Sequence, residues 1–459
     1  MRILLIAPAS GLWHGIAHRK TFNGKVFRFS MLSLLTLAEL SPDDADITIV
    51  DEQIEKVPEY ETFDLVGITV MTATAPRAYE LASRFRQRGV PVVLGGFHPT
   101  LNPEEALRHA DAVVVGPAYG AWERLLRDLA DGRLQGLYYG SLDGNIPKTL
   151  PRHLMSRPHY ATLNATFATI GCRNACRFCS IRAVHSGARV LRGVRDVVAE
   201  VAAFRGRFFM LVDDNLTQDR DYALDLFRAL APLKKRWITQ ASVEIADDPE
   251  LLAAMRRAGC IGVFVGLETF SEDVLRDQRK EIKPAARYRE AVRAFHRHGM
   301  FVEAGIIFGF DADDVSVFHR TLGMLERAGV DGIQVSILTP LPGTPLSRQM
   351  ERRIFDRNWE RYDYRHVVFT PARMRPEELQ AGADWVIRRF YSPLGILRRL
   401  LRWLFSPGGT ANVVTALAIN LAYYGRTRSF RIRGYDPAAR RKHCETGLLA
   451  PARGASSPA

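Results

Sequence analysis

Two successive runs of alternating strand-like and helix-like segments leave this chain few ways to fold. In the first run, 3–8 (ILLIAP), 46–51 (DITIVD), 64–70 (DLVGITV), 91–96 (PVVLGG) and 112–116 (AVVVG) are short β-branched apolar stretches ended by Gly, Pro or Asp, with helix-like segments such as 30–40 and 76–88 between them. This spacing predicts a doubly wound parallel sheet over 1–131, with ligands beyond the carboxyl ends of its strands. Gly- and Pro-punctuated sequence over 132–163 reads as a linker. The second run occupies 164–350, with strands at 166–170, 208–214, 237–245, 262–268, 302–309 and 332–339 and helical periodicity at 195–204, 220–233, 249–258, 287–298 and 315–328. These units predict a six-unit partial (β/α) barrel, short of the roughly eight of a closed one, with its chemistry at the carboxyl ends of the strands. The remaining 351–459 reads as a mixed, mainly helical, basic region.

A length of 459 residues suits two or three cores. The net charge of +13 is unevenly placed: Arg398, Arg399, Arg402, Arg426, Arg428, Arg431, Arg433, Arg440, Arg441 and Lys442 face only Asp436 between 398 and 442. The basic character therefore belongs to the C-terminal tail, and nucleic acid is not the expected partner. No apolar run reaches the roughly 20 residues of a spanning helix, and the opening MRILLIAPAS leads into a strand, so the cytoplasm is the expected compartment. Of five cysteines, three crowd into eight residues while Cys260 and Cys444 stand apart. That distribution predicts a metal site in a reducing compartment rather than a disulfide framework, with Cys260 a small buried apolar residue.

In GCRNACRFCSIR, Cys172, Cys176 and Cys179 are spaced C-x3-C-x2-C directly after the first strand of the second run, which places them at the barrel's mouth. Thiolates suit iron–sulfur clusters and zinc, and both usually want four protein ligands. The nearest candidate for a fourth is His185, six residues on. Three thiolates on a cubane leave one iron open to a chelating small molecule.

This spacing, with Phe178 before the last cysteine, resembles the signature of the radical S-adenosylmethionine superfamily. The resemblance implies a 4Fe-4S cluster on the three cysteines, S-adenosylmethionine on the open iron, a 5′-deoxyadenosyl radical, and an external electron donor such as flavodoxin or ferredoxin. Further segments are similar to the cobalamin-associated branch: FFMLVDDN (208–215), QASVEIADDPELL (240–252), GCIGVFVGLET (259–269), GIIFGFD (305–311) and LTPLPGTPL (338–346). The resemblance implies that Glu268 helps to hold S-adenosylmethionine, with Gly266, Ser242, Glu244 and Asp213 as further contacts. Asp213 and Asp214 read equally well as a strand end or a helix cap.

The N-terminal, Rossmann-like half lacks a G-x-G-x-x-G turn, which argues against a dinucleotide. DLVGITVMTATAPRAYELA (64–82) and VVLGGFHPTLNPEEAL (92–107) resemble the cobalamin-binding domain of class B radical methylases. On that resemblance Thr72, Thr74, Gly95, Gly96, His98, Thr100 and Gly116 lie along loops that embrace cobalamin, the glycines permitting close backbone approach. The chain departs from the family in two ways: D-x-H-x-x-G is absent, and Gly116, Pro117, Ala118, Tyr119 and Gly120 stand where acidic side chains are usual.

Residues 359–392 resemble the region after the barrel in relatives that include hopanoid methylases. Beyond it, Leu397, Leu400, Leu401 and Leu404 share a helical face away from Arg398 and Arg402, so 396–442 is expected to dock on the protein's own core or on an anionic membrane. The implied reaction is methylation of an unactivated carbon of a small hydrophobic substrate such as a lipid, tetrapyrrole or natural-product intermediate. Radical cyclisation or carbon–carbon bond formation, and sulfur insertion into tRNA, are the alternatives. The tRNA enzymes carry N-terminal cluster cysteines, and this chain has no cysteine before 172.

Overall fold

The computed structural model describes residues 1–10, 31–143, 146–155, 160, 164–277, 287–404, 417, 420–421 and 423–424. Cys444 and the basic residues from Arg426 onward lie outside them.

Strand β1 (Arg2–Ala7) shows how the first sheet is built. Its Ile3, Leu5 and Ala7 enter one apolar core and its Leu4 and Ile6 another. A strand buried on both faces is what a parallel sheet with helices on each side requires. With β2 (Asp46–Asp51), β3 (Leu65–Thr69), β4 (Val92–Gly95), β5 (Ala112–Val115) and β6 (Leu137–Tyr139), the order is β2-β1-β3-β4-β5-β6, parallel throughout. Helix α1 (Leu32–Glu39) packs into the Leu5 core, and α2 (Ala75–Arg86) into the Leu4 core. Two short helices follow, α3 (Phe97–Leu101) and α4 (Pro103–Leu107), and then α5 (Ala121–Ala130), whose Trp122 joins the Leu5 core. The stretch expected to be a linker thus supplies β6, and within it Tyr160 donates to Asp51 at 3.0 Å.

The second half also forms a six-stranded parallel sheet, from β7 (Ala165–Thr166) through β10 (Phe208–Leu211), β11 (Arg236–Ala241), β12 (Cys260–Glu268) and β13 (Phe301–Phe308) to β14 (Gly332–Ile337). The strand expected at 166–170 is divided. β7 joins the barrel, whereas β8 (Thr169–Ile170) turns aside to pair antiparallel with β9 (Val190–Leu191). Helix α6 (Ser180–His185) lies between β8 and β9. The crossovers are α7 (Val194–Ala203), α8 (Arg220–Leu230), α9 (Pro249–Arg257), α10 (Glu272–Asp277) with α11 (Tyr288–Arg297), and α12 (Val317–Ala328). At α9, Asp248 accepts from Leu251 N–H at 3.0 Å ahead of Pro249, a cap that contributes about 1 kcal/mol.

The described residues 351–404 are not a separate body. After α13 (Pro345–Met350), helix α14 (Pro376–Phe390) buries Leu379, Ala383, Val386 and Phe390 in the barrel's own core. Helix α15 (Pro393–Leu404) turns Ile396, Arg399 and Trp403 inward, and Trp403 Nε1 donates to Asp331 at 2.9 Å. Leu394, Leu397 and Leu401 face outward.

Candidate active site

The cysteine loop departs at β8, passes Gly171, and delivers Cys179 as the residue capping α6. Gly171 has φ 87°, and a Cβ there would come within 2.1 Å of the Ala188 carbonyl oxygen, so only glycine fits the turn. None of the three cysteines is in a disulfide, all are partly buried, and burial pushes the Cys179 pKa up. Among the described residues no three His, Cys, Asp or Glu side chains already stand together at metal-binding spacing. The fit to a cluster therefore rests on the donors themselves: three soft thiols, none in a disulfide, on one short loop.

That loop is stapled to the segment after β10. Asp213, 1 % exposed, accepts from Ala168 N–H at 3.1 Å, Thr169 Oγ1 at 2.8 Å and Thr169 N–H. Asp214 accepts from Gly171 N–H at 2.8 Å. Gln218 accepts from Arg173 N–H and donates to Asn174, both at 3.0 Å. Asp219 pairs with Arg173 at 2.8 Å and with the buried Arg189. Burial raises the Asp213 pKa to about 6, against the lowering effect of its hydrogen bonds. From the opposite side, Leu346 N–H donates to Arg177 O at 3.1 Å, and the Tyr364 hydroxyl hydrogen-bonds Ser180 beside Cys179. The sequence marked Asp213 as a cofactor contact, and its carboxylate is spent on the backbone that leads into the cysteines. Gln218, Asp219 and Tyr364 had no local signal, and Asp214 only that of a strand end or helix cap, because what they hold lies 30 residues or more away along the chain.

Glu268 ends β12, where strand register shifts between Gly266 and Glu268, and it takes the left-handed φ of 61°. A non-glycine residue held there costs on the order of 1–3 kcal/mol, and such strain concentrates at functional sites. Ser242 precedes the short turn Val243–Asp247, whose first turn carries Glu244, so both lie just past the carboxyl end of β11. Phe178 meets Phe310 edge to face at 6.3 Å. Cys260 is 4 % exposed at the start of β12, far from the loop in register, and burial pushes its pKa up to about 12.

In the N-terminal half, Gly95, Gly96 and Gly116 line a cavity of about 220 Å³ at the carboxyl edge of β3, β4 and β5. Thr36, Thr69, Ala118 and Tyr119 add to its wall, and Ile170 and His185 complete it from the barrel side. Gly96 has φ 102°, and a Cβ there would lie 3.0 Å from the Val70 backbone. The cavity is walled mainly by apolar atoms, which fits the flat apolar parts of a cobalamin, and Gly95, Gly96 and Gly116 carry no side chain into it. Pro117 and Ala118, where acidic residues were expected, are part of that wall.

The other residues marked for cobalamin make contacts within the loops. Thr72 is buried, and Thr74 Oγ1 exchanges hydrogen bonds with the backbone of Met71. Thr100 Oγ1 accepts from Gly116 N–H at 3.0 Å, fixing a glycine of the cavity. His98 is fully buried, with Nε2 3.1 Å from the Tyr79 hydroxyl. Tyr79 donates to Glu105 at 3.0 Å, and Glu105 also accepts from Trp359 Nε1 at 2.8 Å. Burial opposes the charge on Glu105, but hydrogen bonds from His98, Tyr79 and Trp359 outweigh it and hold the pKa at about 2.

Comparison with known proteins agrees with this arrangement. Residues 167–325 match the radical SAM superfamily model, and residues 32–126 match the B12 binding domain model. The chain is 29 % identical over 392 residues to a bacteriochlorophyllide d C-12(1)-methyltransferase of Chlorobaculum tepidum, covering 82 % of this chain and 86 % of that one. It is 26 % identical to the hopanoid C-2 methylase of Rhodopseudomonas palustris, covering 80 % and 72 %. The radical S-adenosylmethionine methyltransferase TsrM of Kitasatospora setae, solved with cobalamin and a [4Fe-4S] cluster, shares the fold with a TM-score of 0.65 at 13 % identity, over 93 % of this chain and 99 % of that one.

Proposed function

Because the chain belongs to the radical S-adenosylmethionine superfamily and carries a B12-binding domain ahead of its barrel, we propose that it is a cobalamin-dependent methyltransferase acting on an unactivated carbon of a hydrophobic substrate, a tetrapyrrole in the first place. One observation carries the reading: glycines of the B12-binding half and the two residues that frame the cysteine loop, Ile170 and His185, line a single cavity. Tetrapyrroles rank ahead of lipids because the relative acting on bacteriochlorophyllide d is more similar than the hopanoid methylase.

When bound, the cluster with S-adenosylmethionine supplies a carbon-centred radical and cobalamin supplies a methyl group, the difficult chemistry that cofactors bring to a protein. The chain's own residues place these groups. Cys172, Cys176 and Cys179 would hold the cluster as thiolates, and Glu268, Gly266, Ser242 and Glu244 would contact S-adenosylmethionine at the strand ends. Phe178 and Phe310, in edge-to-face contact, would place apolar surface beside the loop. Gly95, Gly96 and Gly116 leave room for cobalamin, while Thr72, Thr74, His98 and Thr100 brace the loops that carry them. An external one-electron donor such as flavodoxin or ferredoxin, and the reducing cytoplasm, belong to the same proposal.

Anaerobic turnover tests it. The proposal requires both S-adenosylhomocysteine and 5′-deoxyadenosine, together with a product heavier by one methyl group. Deoxyadenosine alone would overturn methyl transfer in favour of ring formation or carbon–carbon coupling.

Peripheral contact with an anionic membrane is part of the proposal. Among the described residues no helix is long and apolar enough to cross a bilayer. Leu394, Leu397 and Leu401 nonetheless form an exposed stripe on α15, with Leu417 and Leu421 exposed shortly after it. The basic run from Arg426 follows within a few residues. Two such surfaces would repel each other, so the charge favours an anionic lipid face over a second copy of the chain.

A further inference from the structure

The cysteine loop and the cavity have two residues in common. Ile170 ends β8 just before Cys172, and His185 ends the helix that starts at Cys179; both face the cavity. Helix α6 also packs against α3 of the first sheet, so the segment that carries the cluster cysteines is part of the seam between the two halves. His185 Nδ1 is buried there and has no hydrogen-bond partner. Buried polar atoms are nearly always paired, so an orphaned ring nitrogen on a cavity wall marks a place where a bound molecule completes the bonding. Burial lowers the His185 pKa, against the pull of Asp214, so the ring is neutral and can present either an N–H or a lone pair. Ser186 and Gly187 end the helix with φ 50° and 78°. Asp214, close enough to act on His185, also holds Gly171 N–H at the other end of the loop.

We propose that His185 hydrogen-bonds cobalamin through Nδ1, at an amide or phosphate oxygen or nitrogen of the cofactor's rim, and that filling the cavity thereby retains the cluster on the cysteine loop. The inference rests on the reading that the cavity takes cobalamin. It assigns His185 to that cofactor rather than to the cluster, where sequence spacing had made it the nearest candidate for a fourth ligand. It also makes the two cofactor sites thermodynamically coupled: whatever differential binding energy cobalamin gains from the ordered loop is returned as tighter retention of the cluster.

The test uses the full chain with its cluster reconstituted anaerobically. Hydroxocobalamin is titrated into wild type, His185→Ala and His185→Gln, with binding followed by absorption and cluster release to an excess iron chelator followed in parallel. Loss of one buried hydrogen bond predicts cobalamin binding about five- to tenfold weaker in His185→Ala, with part of the loss restored by His185→Gln. Cobalamin is expected to slow cluster release several-fold in wild type and much less in His185→Ala. Unfolding of the cobalamin-free proteins is expected to be the same, which separates the contact from a folding defect. Equal cobalamin affinity in wild type and His185→Ala overturns the contact, and equal slowing of cluster release overturns the coupling. A changed cluster spectrum in cobalamin-free His185→Ala would assign the ring to iron and overturn the proposal. A wild type that takes up no cobalamin would instead overturn the cofactor assignment of the proposed function.

Discussion

Asp213 is a carboxylate placed in the interior to organise backbone, and its energetics follow from that. It accepts from two N–H groups and one hydroxyl at the start of the cysteine loop. Asp213→Ala leaves those donors buried without a partner, which predicts a loss of about 3 kcal/mol in stability and a poorly retained cluster. Urea unfolding and iron content measure the two. The pH dependence has a definite sign. The folded chain raises this pKa from 3.8 to about 6, so between those values the folded state binds a proton that the unfolded state has released. Stability therefore falls as pH rises through that window and levels off above it. Asp213→Asn flattens the slope, leaving the share of Asp313, which is also pushed up to about 6. An unchanged slope in the variant would contradict the assignment. Glu105 has the opposite sign: held at about 2, it stabilises the fold above its ordinary range and that contribution is lost as pH falls toward 2.

At the level of elements, the long strands were legible because β-branched runs between turn residues leave little choice, and β12 and β13 fall close to where periodicity places them. The short ones were not. β6 has three residues, and the split of β7 from β8 depends on pairing with Val190 and Leu191, which no local pattern announces. His98 shows the same limit at the site. A histidine after Gly-Gly suits a ligand loop or a buried hub equally well, and the Trp359 that decides the matter through Glu105 lies 254 residues from that carboxylate. Trp359→Phe keeps most of the packing and removes the N–H donor, which predicts about 1–2 kcal/mol less stability by denaturant unfolding. Helix α15 divides its duties as well. Trp403 faces Asp331 and His296, whereas the leucine stripe faces outward. Leu397→Glu with Leu401→Glu is expected to abolish co-flotation with vesicles of anionic lipid at low salt and leave the melting temperature within a few degrees. Flotation equal to wild type would remove the membrane from the account.

Across the whole molecule, the two halves are joined by the site itself. The doubly wound sheet presents its glycine-rich edge to the barrel, the barrel presents the frame of its cysteine loop, and the described residues 351–404 pack into the barrel core while reaching back through Trp359 to the first half. The order of the two halves could be read from sequence, and the cysteine loop proposed to hold the cluster stood out by its short-range spacing. The cavity could not, because its wall is assembled from residues between Ser33 and His185 whose convergence is a property of the fold.

The central claim is that one chain holds an open-cornered iron–sulfur cluster and a cobalamin against a common wall. Metal and cofactor analysis of anaerobically reconstituted protein, with electron paramagnetic resonance of the reduced cluster before and after S-adenosylmethionine, tests it most directly. The account predicts about four irons and about one cobalamin per chain, a cluster signal that shifts when S-adenosylmethionine is added, and loss of both iron and signal in Cys176→Ala. Zinc in place of iron, or a cluster whose signal ignores S-adenosylmethionine, would contradict it.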